Sequence, residues 1–279
     1  MSKLIANLFA QTNLVNTKFT SRIRRKRLDF DLRLDKGSFD IIGDVHGCHE
    51  ELQDLLGNLG YMDEGDGVAD RKLIFLGDLN DRGPASALTF KLVMSLVESG
   101  RAYYTPGNHC NKLLRYLQGK RVQLAHGLAG TVEEVQHQER TEPGFIARLR
   151  DFIDSAPPYL WLDKGELVVA HAGIKKHMIG RYDEQVRAMC LYGDTTGEIN
   201  PDGTPVRLDW AQHYNGSASI VYGHTPMPGP HWVNNTINID QGCVFGGWLT
   251  ALRWPEREIR QVQAKRPYYD ARLPAFLRP

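Results

Sequence analysis

No stretch of this sequence approaches the ~20 consecutive apolar residues that a membrane-spanning helix requires. Cysteine is scarce: Cys48, Cys110, Cys190 and Cys243 stand far apart, without a C-x-x-C pair. That spacing supports neither a disulfide framework nor a zinc ribbon, and a soluble protein of a reducing cytoplasm is the expectation. The phosphate-cradling G-x-x-x-x-G-K-[ST] loop is missing, so this sequence carries no P-loop kinase half. Internal repeats and low-complexity linkers are missing as well. Net charge is only +1, with 42% hydrophobic and 24% charged residues, which excludes wholesale disorder and a fibrous class.

That small total hides an asymmetry. Residues 1–37 carry nine Lys/Arg against three acids, leaving a mildly acidic body. Leu4, Ile5, Leu8 and Phe9 share helical spacing, and the run Arg22–Arg27 is basic. The plain reading is an extension packed on the domain or left mobile. Its composition also resembles a transit peptide, or an arm that binds nucleic-acid phosphates.

From Ser38 onward, apolar runs alternate with amphipathic stretches. Phe39–Ile42, Lys72–Leu76 and Ala102–Thr105 read as buried strands, and helical spacing falls over Cys48–Leu59 and from Pro84 to Val97. Asn111–Tyr159 is mainly helical and is expected to cap the site. Glu166–Ala170, Ser219–Tyr222, Thr236–Asp240 and Leu249–Leu252 read as further strands, and Tyr192–Val206 reads as a long loop. The β-α-β-α-β order argues for an α/β fold, a sheet layered with helices. One catalytic domain over 38–265 follows, between the basic extension 1–37 and a tail 266–279.

Each strand run delivers polar residues at its end, where open α/β sheets bind ligands. The stretch Gly77-Asp78-Leu79-Asn80-Asp81-Arg82-Gly83 concentrates two acids and a guanidinium. Alone it is equally an ordinary surface turn. Its context changes that balance, because Asp44, His46, Asp78, Asn108, His171 and His224 all follow apolar strands. Oxygen and imidazole donors without thiolate suit a pair of divalent transition ions. Two such ions about 3.5–4 Å apart clamp both the attacking and the leaving oxygen of an in-line phosphoryl displacement.

Five blocks, taken in order, carry a family resemblance. They are Gly43-Asp44-Val45-His46-Gly47, Gly77-Asp78 with Asp81-Arg82-Gly83, Gly107-Asn108-His109, His171-Ala172-Gly173 and Gly223-His224-Thr225. Together, from Phe39 to about Arg253, they resemble the calcineurin-like metallophosphoesterases of the phosphoprotein phosphatase superfamily. The resemblance implies a β-sandwich flanked by helices and a binuclear metal centre, with Mn²⁺ the first expectation and Fe, Ni or Zn the alternatives. Asp44 and His46 would hold one metal, Asn108, His171 and His224 the other, and Asp78 would bridge them. Arg82 and Asn108 would grip phosphate oxygens, and His109 would protonate the leaving oxygen, oriented by Asp81. Asp240 would support a metal-bound histidine, a turn acid being the competing reading. His126 and Cys110 read as structural.

Cys110 stands where Ser/Thr protein phosphatases usually carry Glu, which argues against that branch. Pro106–Leu113, His126–Leu128, Leu191–Asp194, Asp209–Ala211 and Asn238–Gly246 resemble the asymmetrical bis(5′-nucleosyl)-tetraphosphatases. The implied reaction is hydrolysis of a dinucleoside polyphosphate, Ap4A to ATP and AMP. Asn234–Ile237 and Thr250–Glu258 instead resemble the phosphatase module of bacterial polynucleotide kinase-phosphatases. That alternative implies a 2′/3′-phosphatase of RNA ends, guided by the Arg22–Arg27 arm. A nucleotide-binding module with a dead centre is the third reading, opposed by the intact ligand set.

Overall fold

The computed structural model of the protein describes residues 29–61, 70–201, 204–270 and 275–277. The helical face expected over Leu4–Phe9 and the basic run Arg22–Arg27 lie outside the described residues. The described chain opens with β1 (Asp31–Leu32), β2 (Ser38–Ile42), α1 (His49–Asn58), β3 (Arg71–Phe75), α2 (Ser86–Glu98) and β4 (Ala102–Tyr104). Three helices follow, α3 (Asn108–Leu117), α4 (Leu128–Thr141) and α5 (Phe145–Ser155). Then come β5 (Leu160–Leu162), β6 (Leu167–Val169), α6 (Glu184–Tyr192) and the hairpin β7 (Thr195–Ile199)–β8 (Pro205–Arg207). The chain ends in β9 (Ser219–Tyr222), β10 (Trp232–Val233), β11 (Thr236–Asn238), β12 (Asp240–Gln241), β13 (Trp248–Trp254) and β14 (Glu258–Gln263).

Two sheets stack face to face. One runs β1-β5-β6-β9-β11-β10; the other runs β12-β13-β2-β3-β4, with β14 added on β13. Side chains alternate along each strand, so a single apolar run serves two layers. Phe39, Ile41, Ile74 and Leu76 meet Leu160, Leu162, Val169, Val221 and Ile237 between the sheets. The intervening Ile42, Leu73 and Phe75 face outward onto Leu52 and Leu55 of α1, Phe90 and Val93 of α2, and Leu113 and Leu149. On the other outer face, Val168 and Ile220 pack against Val186, Met189 and Cys190 of α6. The result is a β-sandwich flanked by helices. Near-continuous apolar strands are what this layering demands, since both faces of each central strand are covered.

Two segments depart from the sequence reading. Tyr192–Val206, expected as a loop, ends α6 and then forms the antiparallel pair β7–β8. Every residue of β7 is exposed, so no apolar alternation marks it as a strand. Thr236–Asp240, read as one strand, divides: β11 pairs in parallel with β9, whereas β12 pairs with β13 in the other sheet. Ile239 is the crossing point, and Gly43 lets it pass. A Cβ on Gly43 would lie 2.3 Å from the Ile239 carbonyl oxygen. The helices of Asn111–Tyr159 form the outer layer on the β2-β3-β4 side, because their apolar stripes (Leu113, Val132, Val135, Leu149, Phe152) bury there.

The flanks of the core domain also take part in the packing. Asp31–Leu32 adds a parallel strand to β5, and Asp35 pairs with Lys72 at 2.6 Å. Tyr268 and Tyr269 pack against the helical-face core, and the Tyr268 hydroxyl donates to Glu51 at 2.7 Å.

One buried ion cluster ties three strands. The fully buried Asp40 accepts from Arg71 at 3.0 Å, Arg253 at 3.1 Å and the Tyr61 hydroxyl at 2.9 Å. Asp40→Ala removes the acceptor that both guanidiniums share, although Arg71 keeps Glu256, and is expected to cost about 1–3 kcal/mol. The urea unfolding midpoint measures this; an unchanged midpoint would contradict the buried-pair assignment.

Candidate active site

The parallel strands β2, β3 and β4 end side by side, as do β6 and β9 in the facing sheet. Their following loops carry Asp44/His46, Asp78, Asn108/His109, His171 and His224 to one place. Backbone strain concentrates there too: His46, Asp78, Asp81, Arg82 and His224 all have φ between +34° and +74°. Each such residue costs on the order of 1–3 kcal/mol and persists only where surrounding bonds over-determine it.

Those bonds are visible. The His46 amide donates to the Asp78 carbonyl at 2.7 Å, and the His109 amide donates to Asp78 Oδ1 at 2.9 Å. Gly107 makes the second contact feasible, since a Cβ there would fall 2.0 Å from Asp78 Oδ1. The other Asp78 oxygen, Oδ2, lies 3.7 Å from His46 Nε2 and 3.4 Å from His171 Nε2. His171 Nε2 is in turn 3.0 Å from both Asn108 Oδ1 and His224 Nδ1. Asp44 enters from the opposite wall, its Oδ2 accepting from the His224 amide at 3.1 Å.

Two ligand groups share Asp78: His46–Asp78–His109 and Asp78–His171–His224, with donor atoms within 4.8 Å of one another in each. The sequence reading placed Asp44, rather than His109, beside His46. In this arrangement Asp44 Oδ1 lies 3.7 Å from His171 Nδ1, buried and without a hydrogen-bond partner. His224 Nε2 is a second shielded atom without a partner.

The electrostatics fit a cation. Burial pushes Asp44 well above the usual carboxylate range, and the Asp240 and Asp78 charges push it further. Burial likewise raises Asp240, to about 7. Burial opposes ionisation of Asp78 too, but His171, His109, His46 and His224 together outweigh it and hold this carboxyl low. Burial, the largest cause at each, pushes His46, His171 and His224 below the ordinary imidazole value. Crowded buried acids, clustered imidazoles and orphaned polar atoms are what divalent ions relieve, because their charge inverts the local protonation balance. The residues present fit such a centre.

Beside it sits a histidine–carboxylate pair. His109 Nδ1 is 2.6 Å from Asp81 Oδ2, which commits that nitrogen and leaves Nε2 for substrate. Asp81 is completely buried, and its other oxygen accepts from Thr131 Oγ1 at 2.6 Å and Asn80 Nδ2 at 2.7 Å. Arg82 places Nη1 3.0 Å from His46 Nε2 while its guanidinium lies over Phe245 and Tyr269, 5.3 and 5.8 Å from the ring centroids. Asp240 is buried nearby and accepts from the Gly242 amide at 3.0 Å.

Sequence reasoning assigned no role to Asn80, yet its carbonyl receives the His46 Nδ1 proton at 2.8 Å and so aims Nε2 inward. Thr131 and Tyr269 were missed as well. Both sit on segments without any motif, and only the folded chain brings them within reach of Asp81 and Arg82. Cys110, read as a small buried side chain, is fully buried and accepts from the Leu79 amide at 3.4 Å.

Comparison with known proteins agrees with this geometry. The calcineurin-like phosphoesterase family matches residues 37–249. A Geobacillus protein named asymmetrical bis(5′-nucleosyl)-tetraphosphatase PrpE is 52% identical over 244 residues, covering 85% of this chain and 98% of that one. The Bacillus subtilis protein of the same name is 48% identical over 240 residues, covering 85% and 98%. Among solved structures, one provisionally described as a diadenosine tetraphosphatase superposes with a TM-score of 0.61 at 26% identity, covering 84% of this chain and 96% of that one. A Saccharomyces cerevisiae protein serine/threonine phosphatase superposes at 0.58 with 13% identity, covering 99% and 92%, a likeness of fold alone. With layered sheets, candidate metal-holding side chains at the strand ends and a family match over most of its length, this chain belongs to the calcineurin-like phosphoesterases and is a metal-dependent phosphohydrolase.

Proposed function

We propose that the protein hydrolyses dinucleoside tetraphosphates asymmetrically, converting Ap4A to ATP and AMP. The observation that carries this reading is the 52% identity to a protein of that name along nearly its whole length. Asp44, His46, Asp78, Asn108, His171 and His224 would hold two divalent cations, Mn²⁺ first among them. When bound, these supply Lewis-acid polarisation of the phosphoryl group and a lowered pKa for the attacking water.

The chain's own residues do the rest. Arg82 is positioned to grip the phosphate, because its planar fork matches two phosphoryl oxygens and absorbs charge as the transition state forms. Asn108 lends its amide to the same oxygens. His109 Nε2–H delivers a proton to the leaving phosphate oxygen, while the Asp81 carboxylate holds the ring and stabilises its charged form. Asp240 braces the turn at Gly242 beside the centre, and Asp44 holds the His224 backbone.

Separating the products of Ap4A hydrolysis by the Mn²⁺-loaded protein tests the reading. Equimolar ATP and AMP are expected; two ADP, or no turnover, would refute it. A 3′-phosphorylated oligonucleotide run in parallel is expected to turn over far more slowly. Faster release of phosphate there would assign the centre to nucleic-acid ends instead.

A further inference from the structure

Beside His224 the surface opens into a cleft of ≈270 Å³. Cavities that hold small ligands run from about 300 Å³ upward, are mostly apolar and carry a few converging polar groups. One wall here is aromatic: Trp210 and Tyr222 approach with ring centroids 4.9 Å apart, tilted by 59°. Arg207 stands at the rim. Its Nη1 donates to the Tyr192 carbonyl, and it makes no ion pair among the described residues.

We propose that this cleft is the nucleoside subsite, with Tyr222 and Trp210 facing the base and Arg207 binding the phosphate attached to that nucleoside. The proposal rests on the dinucleoside-polyphosphate reading above and supplies a reason for asymmetry. His224 is at once a cleft wall and a candidate metal ligand, so a nucleoside seated there brings its own α phosphorus onto the Asp78 centre. Symmetrical cleavage would need a further phosphate between the nucleoside and the centre. His109 lies on the opposite, His46 side, with the two imidazole centroids 4.9 Å apart. The water oxygen bonds to the α phosphorus, and the α–β bridging bond breaks with its electron pair passing to the triphosphate. His109 protonates that oxygen, and the water's proton passes to solvent. AMP remains in the cleft, and ATP leaves on the His109 side.

Photolabelling with 8-azido-AMP, in the presence of EDTA and again with Mn²⁺, reads the subsite independently of turnover. Adducts are expected on the segment Leu208–Val233, suppressed by excess AMP but not by inorganic phosphate. Adducts confined to other segments, or none, overturn the proposal. Tyr222→Leu is expected to lower kcat/KM on Ap4A about tenfold relative to kcat/KM on p-nitrophenyl phosphate, which has no nucleoside, whereas Arg207→Gln is expected to lower both, because both present it a phosphate. If the parent protein makes ATP and AMP but Tyr222→Leu keeps that ratio, the subsite assignment fails while the reaction stands. If the parent makes two ADP, the reaction itself fails, and the labelled segment still decides whether nucleoside enters the cleft. Labelling uses the unaltered protein, so a variant that does not fold leaves the proposal testable.

Discussion

Asp78→Asn is expected to lower metal-dependent hydrolysis by at least ~10³-fold, the factor that losing several kcal/mol of charge stabilisation implies. Among the described residues, no other side chain belongs to both candidate ligand groups: Oδ2 approaches His46 Nε2 and His171 Nε2, and each group contains this carboxylate. Asparagine keeps the shape and can still accept from the His109 amide through Oδ1, so the loop has no steric reason to collapse. What it loses is the anion that the surrounding imidazoles stabilise. Metal content measured by elemental analysis should fall together with activity. Equally, EDTA should silence the parent protein, and Mn²⁺ should restore it but not the variant. A variant with full metal content and full turnover would dismiss Asp78 as the bridging ligand.

His109→Ala is expected to lose about 10²–10⁴-fold on substrates whose leaving oxygen needs a proton, such as Ap4A or an alkyl phosphate. On p-nitrophenyl phosphate the loss should be much smaller, because p-nitrophenolate departs without protonation. Asp81→Asn should show the same pattern in weaker form, since Asp81 touches the ring rather than the substrate. Equal losses on both substrate types would contradict the proton-donor role. They would point instead to His109 as a metal ligand, a role its place beside His46 and Asp78 makes geometrically feasible. Metal analysis of His109→Ala separates the two: a proton donor can be lost with the ions retained.

Much of this centre is legible before folding because of how an α/β sandwich is built. Central strands covered on both faces must be continuously apolar, so runs such as Leu73-Ile74-Phe75-Leu76 announce themselves, and their ends mark the catalytic edge. The less legible elements lack such a pattern. Every residue of β7 is exposed and β8 is at most half-buried, so the pair looks like loop in the sequence, and Arg207 goes unnoticed with it. Ile239 looks like the middle of a strand because its burial between the sheets is the same either way. Thr131 lies on α4, about 50 residues from the Asp81 it bonds, and nothing in its local sequence distinguishes it from any helical threonine.

The sequence by itself determined the chemistry: carboxylates, imidazoles and an arginine at successive strand ends leave few reactions besides metal-assisted phosphoryl transfer. Those residues are recognisable because each sits beside the glycine or small residue that its own turn requires, a local constraint. Which atoms act was decided only in three dimensions. Asn80 aims His46 through a backbone carbonyl, Thr131 and Asn80 fix Asp81, Tyr269 lies beneath Arg82, and Trp210 with Tyr222 walls the cleft beside His224. Orientation and substrate shape come from contacts between distant segments, and such contacts leave no period or spacing in the chain.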